Sequence, residues 1–106
     1  MYFCLSKVEF ENKKSMEIMS SYSDSLGEEK GDEYGILMRY RADIGDKTGI
    51  VVTIYENQKD FEKHYKGSIK ESMEMMKLQG HWTQLNHGDI KAFSVNNKKV
   101  KLDFIG

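Results

Sequence analysis

Apolar and polar residues recur with different periods along the chain, and each change of period marks a predicted element. Residues 2–10 are rich in aromatic and branched side chains, which is typical of a strand. From about residue 11 to residue 26 the apolar residues recur every three or four positions, which predicts an amphipathic helix. The apolar stripe of this helix consists of Met16, Met19, Tyr22 and Leu26. Gly27 stands where a C-terminal cap is expected, and residues 27–32 predict a loop.

The middle of the chain predicts a β-hairpin. Residues 34–43 alternate in side-chain character with a period of two, which is the period of a strand. Residues 48–56 form a second run that is rich in branched side chains. The link between the two runs, residues 44–47, is short and contains a glycine, as tight turns between antiparallel strands do.

A second helix is predicted after the hairpin. Asn57 has the side chain of an N-cap, and Gly80 stands where the helix is expected to end. The stripe between them consists of Phe61, Tyr65, Ile69 (or Ser68), Met73 (or Ser72) and Met76. This spacing of three or four residues predicts one long amphipathic helix that packs against the sheet.

The last quarter of the chain predicts two short strands. Residues 81–87 have no clear period, so the strands are predicted over residues 89–95 and about 99–105, with a turn at Asn96 and Asn97. The order is then β-α-β-β-α-β with an extra C-terminal strand. This order predicts an α+β protein of the ferredoxin-like split βαβ type, in which both helices cover one face of an antiparallel sheet.

Alternation along the first three strands divides their residues between two faces of the sheet. We expect the more apolar set to pack under the helices, and it consists of Cys4, Val8, Phe10, Ile36, Met38, Tyr40, Ile50, Val52 and Ile54. The second set mixes apolar with charged residues and consists of Phe3, Leu5, Lys7, Leu37, Arg39, Arg41, Val51, Thr53 and Tyr55. A mixed face of this kind is typical of an interface between subunits, so a homodimer through the sheet faces is predicted. The alternative is a monomer with an exposed mixed face. In the predicted dimer, the C-terminal strand is expected to extend or to swap across the edge of the sheet.

Composition narrows the functional classes. The length of 106 residues predicts one domain over residues 1–106. A net charge of -1 gives no sign of the basic surface that binds nucleic acid or an anionic membrane. A single cysteine, Cys4, rules out an internal disulfide. No apolar run is long enough for a transmembrane helix, and the first residues lack the features of a signal peptide, so a cytoplasmic location is expected.

The stretch from residue 49 to residue 64 resembles the antibiotic biosynthesis monooxygenase (ABM) family of the dimeric α+β barrel superfamily. In that family a strand ends in an aromatic residue, a glutamate and a serine or asparagine, and the following helix carries a phenylalanine and then a histidine. The corresponding residues here are Tyr55, Glu56, Asn57, Phe61 and His64. The resemblance implies a homodimer and cofactor-free oxygenation of an electron-rich aromatic molecule.

The departures from the family pattern are informative. Tyr55 stands where many members have tryptophan. Haem-degrading relatives use an asparagine in the first strand, a tryptophan in the second helix and a ligating histidine about ten residues later. This chain has Ser6 and Lys7 in the first strand, no tryptophan between Asn57 and Gly80, and Glu74 ten residues after His64. Haem degradation by that constellation is therefore not expected, and no cofactor is predicted.

The candidate site residues are those whose chemistry suits a planar ligand. His64 is predicted to be the catalytic acid or base, since an imidazole titrates near neutral pH, and the alternative is a half-exposed structural histidine. The predicted substrate-binding residues, for which core packing is the alternative, are Trp82, His81, Tyr40, Tyr22 and Tyr65. The three histidines have no spacing that places two of them on one face, so no metal site is predicted.

Two functional hypotheses follow, together with one open question about charge. The chain is either a cofactor-independent monooxygenase for a planar aromatic or quinol-like molecule, or a non-catalytic module of the same fold that binds a small ligand or a partner. Arg39 and Arg41 are predicted on one face of their strand. The open question is whether they bind an anion or form salt bridges between subunits.

Overall fold

The fold is a four-stranded antiparallel sheet with helices packed on one face. The computed structural model describes residues 1–95 of the chain, except for the side chains of residues 22–30. Its elements are β1 (Tyr2–Glu9), α1 (Lys13–Lys30), β2 (Ile36–Ile44), β3 (Thr48–Tyr55), α2 (Gln58–His64), a π-helical turn (Tyr65–Ile69), α3 (Lys70–Leu78) and β4 (Trp82–Asp89). The strand order is β2-β3-β1-β4, which is the ferredoxin-like order, and the sheet is open. The predicted α+β fold class is confirmed.

Helix α1 begins as its sequence dictates but ends later than predicted. Asn12 has extended backbone angles, and its side chain accepts a hydrogen bond from the backbone N–H of Ser15 at 2.8 Å. The helix continues through Gly27 to Lys30, so the predicted cap at Gly27 and the predicted loop after it are wrong. A glycine inside a helix costs only about 1 kcal/mol, and one such cost does not end a helix whose hydrogen bonds continue.

The β-hairpin is confirmed, and it contains one irregularity. Gly45 has a φ of 65°, a left-handed conformation that glycine adopts without strain in the turn between β2 and β3. A bulge lies between Ile36 and Met38, because these two residues pair with the consecutive residues Tyr55 and Ile54. Beyond the bulge the strands pair in a regular register.

The second predicted helix is divided into three parts. The side chain of Asn57 caps α2 by accepting a hydrogen bond from the backbone N–H of Asp60 at 2.9 Å, as its position predicts. A π-helical turn separates α2 from α3, and Gly80 follows with a φ of 88°. The helical stretch therefore ends at the predicted place, and the irregular turn in its middle was not predicted.

Strand β4 lies earlier in the chain than predicted. The residues without a clear period form this strand, and residues 90–95 have no regular secondary structure. β4 is an edge strand whose two faces both mix aromatic, polar and apolar residues, so alternation in hydropathy does not reveal it. The predicted turn at Asn96 and Asn97 and the predicted strand near 99–105 lie outside the described residues.

The assignment of β2 and β3 to the two faces of the sheet was the reverse of the structure for every paired residue except Ile36, which lies under the helices as predicted. Residues that pair directly across strands share a face, and Cys4 pairs with Thr53, which pairs with Arg39. Arg39, Arg41, Val51, Thr53 and Tyr55 therefore lie under the helices together with Cys4. The opposite face, named the open face here, carries Phe3, Leu5, Lys7, Met38, Tyr40, Ala42, Ile50, Val52, Ile54, Trp82, Gln84 and Asn86. The assignment failed because the helix-covered face borders a cavity whose lining includes two arginines and several hydroxyl groups, whereas the expectation assumed a dry, fully packed core there.

The core between the helices and the sheet consists of two clusters. The first joins the start of the chain to the end of β3 and to α2, and it consists of Tyr2, Cys4, Tyr55 and Phe61. The second joins the end of β1 to α1 and consists of Val8, Phe10 and Met16. The predicted stripes of α1 and α2 supply Met16 and Phe61 to these clusters, which confirms that both helices pack on the same face.

Candidate functional site

A cavity of about 320 Å³ lies between the helices and the sheet. Its walls include members of both core clusters, the π-helical turn and one side of α3. Most of the lining is apolar, and the polar side chains among it are Ser6, Ser20, Arg39, Arg41, Thr53, His64, Ser68, Glu71 and Ser72. Ligand sites are typically cavities of roughly 300–1,000 Å³ that combine apolar walls with a few polar groups. The cavity is thus large enough for a small planar ligand.

His64 lies on the cavity wall and is held by two tyrosines. Its Nδ1 is 2.6 Å from the hydroxyl oxygen of Tyr55, which is completely buried. Its ring stacks on Tyr34 with a centroid distance of 4.5 Å and an interplanar angle of 22°. Since Tyr55 engages Nδ1, Nε2 is the ring nitrogen that remains for a ligand.

Burial determines the protonation of this group of side chains. The pKa of His64 is lowered to about 4, first because burial disfavours the charged imidazolium and second because Arg39 is positively charged. Burial also raises the pKa of Tyr55, while a hydrogen bond from Thr53 lowers it to a smaller extent. At neutral pH the pair therefore consists of an uncharged imidazole and a protonated phenol. The Cys4 thiol is also protonated, because burial raises its pKa to about 12, so it is not a nucleophile.

The π-helical turn shapes the site directly after His64. A π-helical turn widens the helix locally, and here it brings Ser68 and Ile69 to the cavity wall. Gly67 lies within this turn, where a Cβ atom would be only 2.6 Å from the hydroxyl oxygen of Tyr34. The absence of a side chain at Gly67 thus lets Tyr34 approach closely enough to stack on His64.

Arg39 and Arg41 lie on the opposite wall from the helices, on β2. The Nη1 atom of Arg41 donates a hydrogen bond to Oδ1 of Asp43 at 2.5 Å, and both side chains are partly exposed. Because both arginines face the cavity, they do not belong to the face through which the dimer is predicted to form. The hypothesis of intersubunit salt bridges through the sheet faces therefore does not fit their position.

The other predicted site residues do not gather around His64. Trp82 and Tyr40 lie on the open face, where they are 51% and 48% exposed. His81 is buried against Phe10, with ring centroids 5.2 Å apart, and its Nδ1 has no hydrogen-bond partner among the described residues. Tyr65 packs against the first core cluster, and the side chain of Tyr22 lies outside the described part of the structure.

A second tyrosine–histidine pair offers a natural comparison with the first. The hydroxyl oxygen of Tyr2 is 2.6 Å from Nδ1 of His87, and the ring of His87 stacks on Phe61 at 4.5 Å. His87 is exposed and, unlike His64, does not line the cavity. The two pairs therefore share a hydrogen-bond geometry and differ in access to the cavity.

Neither a metal cluster nor a membrane-spanning helix is found in the described part of the chain. Within residues 1–95, no three histidine, cysteine, aspartate or glutamate side chains are arranged to hold a metal ion. None of the helices described there combines the length and the apolar character needed to cross a bilayer.

Comparisons with known proteins show the fold. No family model matches the chain, and no curated protein matches it. A solved structure from Deinococcus radiodurans, provisionally described as an antibiotic biosynthesis monooxygenase, has a TM-score of 0.75 at 8% identity and covers 92% of this chain and 100% of its own. A dimeric ferredoxin-like protein from an uncultured marine organism has a TM-score of 0.70 at 10% identity, over 88% of this chain and 97% of its own. A second dimeric ferredoxin-like protein from an uncultured marine organism has a TM-score of 0.63 at 11% identity, over 91% of this chain and 100% of its own.

The resemblance to the ABM-like proteins is therefore confirmed at the level of the fold. At such low identities the likeness shows the fold alone. Sequence reasoning found His64 through this resemblance, but it did not place Tyr55 or Tyr34 beside it. A glycine in the middle of the second helix, Gly67, was a usable signal of a close approach at this point.

Proposed function

We propose that the chain is a cofactor-independent monooxygenase acting on a planar aromatic or quinol-like molecule bound in the cavity. The position of His64, an uncharged imidazole bonded to a buried tyrosine on a largely apolar wall, is the observation that carries this proposal. The reaction needs a group that accepts a proton from the substrate and a pocket that excludes most water. The fold shared with a provisionally described antibiotic biosynthesis monooxygenase supports the same class of reaction.

The proposed reaction needs no external reductant, because the substrate supplies all the electrons. His64 accepts a proton from the substrate, and the resulting carbanion or phenolate reduces molecular oxygen. One oxygen atom enters the substrate and the other leaves as water. For a methylene group the products are a ketone and water, and for a quinol they are a hydroxyquinone and water, so atoms and electrons balance.

The tautomer of His64 distinguishes catalysis from simple binding. If Nδ1–H donates to the oxygen of Tyr55, Nε2 has a free lone pair that accepts the substrate's proton. If the Tyr55 hydroxyl instead donates to Nδ1, then Nε2–H can only donate to a ligand. The proposed enzyme requires the first arrangement, which ¹⁵N chemical shifts of the imidazole measure directly.

Oxygen uptake with a panel of hydroquinones and anthrone-like phenols tests the activity. We expect His64→Ala to lower the rate about a hundredfold or more, which is the usual loss when a general base is removed. His87→Ala is the matched control, because it breaks the similar pair with Tyr2 outside the cavity, and it is expected to retain activity. Trp82→Phe is also expected to retain activity, since Trp82 lies on the open face. Undiminished uptake in His64→Ala would remove this residue from the mechanism.

The alternative function is a non-catalytic module that binds a small ligand in the same cavity. The lowered pKa of His64 favours this alternative, since an imidazole with a pKa of about 4 is a weak base at neutral pH. Absence of uptake with every substrate, combined with calorimetric binding of the same molecules that His64→Ala weakens, would establish the binding module instead.

We also propose that the chain works as a homodimer that packs open face against open face. The open face carries large apolar side chains, and the two dimeric ferredoxin-like neighbours show that proteins with this fold pair. Whether the C-terminal strand extends or swaps in this dimer stays a prediction. Sedimentation at micromolar concentration is expected to give twice the chain mass of 12.3 kDa, and a clean monomer would contradict the proposal.

A further inference from the structure

A turn of the chain that does not line the cavity supports His64. This turn consists of residues 31–35 and joins α1 to β2. The ring of Tyr34 within it is buried and stacks on the imidazole of His64 with a centroid distance of 4.5 Å. The proposed reaction gives Tyr34 no chemical step, so this contact requires another explanation.

The turn is held against one side of α2 at several points. Nζ of Lys63 donates a hydrogen bond to the backbone carbonyl of Glu33 at 3.2 Å. Gly35 has a φ of 63° and lies so close to Asp60 that a Cβ atom there would overlap with its carboxylate. Asp60, Lys63 and His64 are spaced three and four residues apart, which places them on one side of the helix. The turn and α2 therefore hold each other along a line of contacts that includes His64.

We infer that Tyr34 is a positioning residue that fixes the ring plane of His64 for proton transfer at Nε2. This inference rests on the proposed function, in which His64 is the base. The lone pair of Nε2 lies in the plane of the imidazole, so the tilt of the ring sets the direction from which a proton is accepted. The hydrogen bond between Nδ1 and Tyr55 fixes one atom of the ring, and the stack with Tyr34 fixes its plane.

Gly67 is the position from which the stack can be disturbed without changing either ring. A Cβ atom at Gly67 would lie 2.6 Å from the hydroxyl oxygen of Tyr34 and 3.2 Å from the ring atoms Cε1 and Cζ. Gly67→Ala is therefore expected to push Tyr34 away from His64. In Gly67→Ala/Tyr34→Phe the hydroxyl is gone and only the 3.2 Å contacts remain, which a small shift of the ring relieves. The double variant is therefore expected to restore the stack.

Proton NMR measures the stack directly, because the ring current of a stacked phenol moves the C–H signals of the imidazole upfield. We expect the wild type and Tyr34→Phe to share upfield His64 signals, and Tyr34→Leu and Gly67→Ala to lose them. The double variant is expected to regain them. His87, which stacks on Phe61, is an internal reference whose signals should stay unchanged in every folded variant.

Oxygen uptake with the panel of hydroquinones measures the consequence for the reaction. In Tyr34→Leu and Gly67→Ala we expect kcat to fall about tenfold or more and KM to change less than about twofold, because the substrate still binds but the base is misdirected. Tyr34→Phe and the double variant are expected to keep most of the activity. Gly88→Ala is the matched control, since it adds the same methyl group where the nearest atom, in Phe3, is 3.5 Å away, and it is expected to change neither parameter.

Two sets of results would overturn the inference. The first is an unchanged His64 spectrum in Tyr34→Leu, or a wild-type kcat in that variant although its His64 signals have moved. The second is a double variant that stays as impaired as Gly67→Ala. If Tyr34→Leu does not fold, which loss of the His87 signals would show, the Gly67 variants decide between the outcomes. Absence of uptake in the wild type would refute the proposed function, whereas the His64 signals would still decide whether Tyr34 holds the ring, so the two failures are distinguishable.

Discussion

The two faces of the sheet differ in the side chains that they carry. The helix-covered face carries two arginines, several hydroxyl groups and a tyrosine bonded to His64, and it borders a cavity. The open face carries large apolar side chains, of which Trp82 and Tyr40 are about half exposed. In a monomeric protein the covered face is ordinarily the more apolar one. This reversed distribution is the reason for proposing that one face binds a small ligand and the other pairs with a second copy of the chain.

This comparison explains why the core is divided into two clusters. The cavity interrupts the apolar contacts between the helices and the sheet, so Val8 and Tyr55 belong to different clusters. The chain gives up part of its packing there, and burial of the open face against a second copy would offset the loss. If both proposals hold, the ligand site and the dimer are connected through the stability of the fold.

The largest expected effect follows from placing a charge on the open face. Tyr40→Glu is expected to weaken the dimer about a hundredfold or more, because each dimer would bury two unpaired carboxylates, one from each subunit. Sedimentation over a range of concentrations measures the change. Ile18→Glu is the matched control, since Ile18 is 59% exposed on α1 and away from the sheet, and it is expected to leave the dimer intact. Equal behaviour of the two variants would contradict the division between the faces.

Acidification is expected to destabilise the helix-covered face through His64. Its folded pKa of about 4 lies below the ordinary value of 6.5, so the unfolded chain binds more protons between these two pH values. The free energy of unfolding should therefore fall as the pH is lowered through this range, by about 2 kcal/mol once solvent screening of the partly exposed ring is allowed for.

Urea unfolding of the wild type and of His64→Gln measures this dependence. His64→Gln is expected to flatten the pH profile. A profile with the same slope in His64→Gln would show that another group causes the acid sensitivity.

The elements that sequence predicts well are those with a single period. The first half of the α1 stripe, with Met16 and Met19, the cap at Asn57 and the hairpin turn at Gly45 each depend on local geometry, and the structure confirms them. Strand β4 was misplaced because neither of its faces is uniformly apolar. Its apolar residues Trp82 and Leu85 stand three positions apart among polar residues, so no period of two is visible in the sequence.

The candidate site has features that local patterns in the sequence do not predict. Alternation correctly grouped Arg39 with Arg41, but it does not tell which face the helices cover, and the bulge beside Ile36 shifts the alternation at the start of β2. Likewise, His64 could be named from a resemblance to a family. Its pairing with Tyr55 depends on how α2 packs against the end of β3, and its stacking on Tyr34 is a contact between residues 30 positions apart, which no local pattern encodes.

A smaller effect is expected from the hydroxyl group of Tyr55. Tyr55→Phe leaves Nδ1 of His64 without its hydrogen-bond partner in a partly buried place, which should cost about 1–1.5 kcal/mol of unfolding free energy. Tyr2→Phe removes the equivalent group from exposed His87, where water can replace it, so the loss should be smaller. Chemical denaturation of both variants measures the difference, and equal losses would mean that the cavity wall is as well hydrated as the surface.

The smallest expected effect concerns the cation on the open face. Nζ of Lys7 lies 5.9 Å from the centre of the Trp82 ring, and such a contact contributes about 0.5 kcal/mol when both groups are exposed. Lys7→Gln should therefore lower the unfolding free energy by about that amount in dilute solution, where the chain is monomeric. At concentrations that favour the dimer, Trp82 loses its solvent and the contact strengthens to about 2 kcal/mol or more. Denaturation at two protein concentrations checks this, and a loss that does not depend on concentration would place the Lys7–Trp82 edge outside the interface.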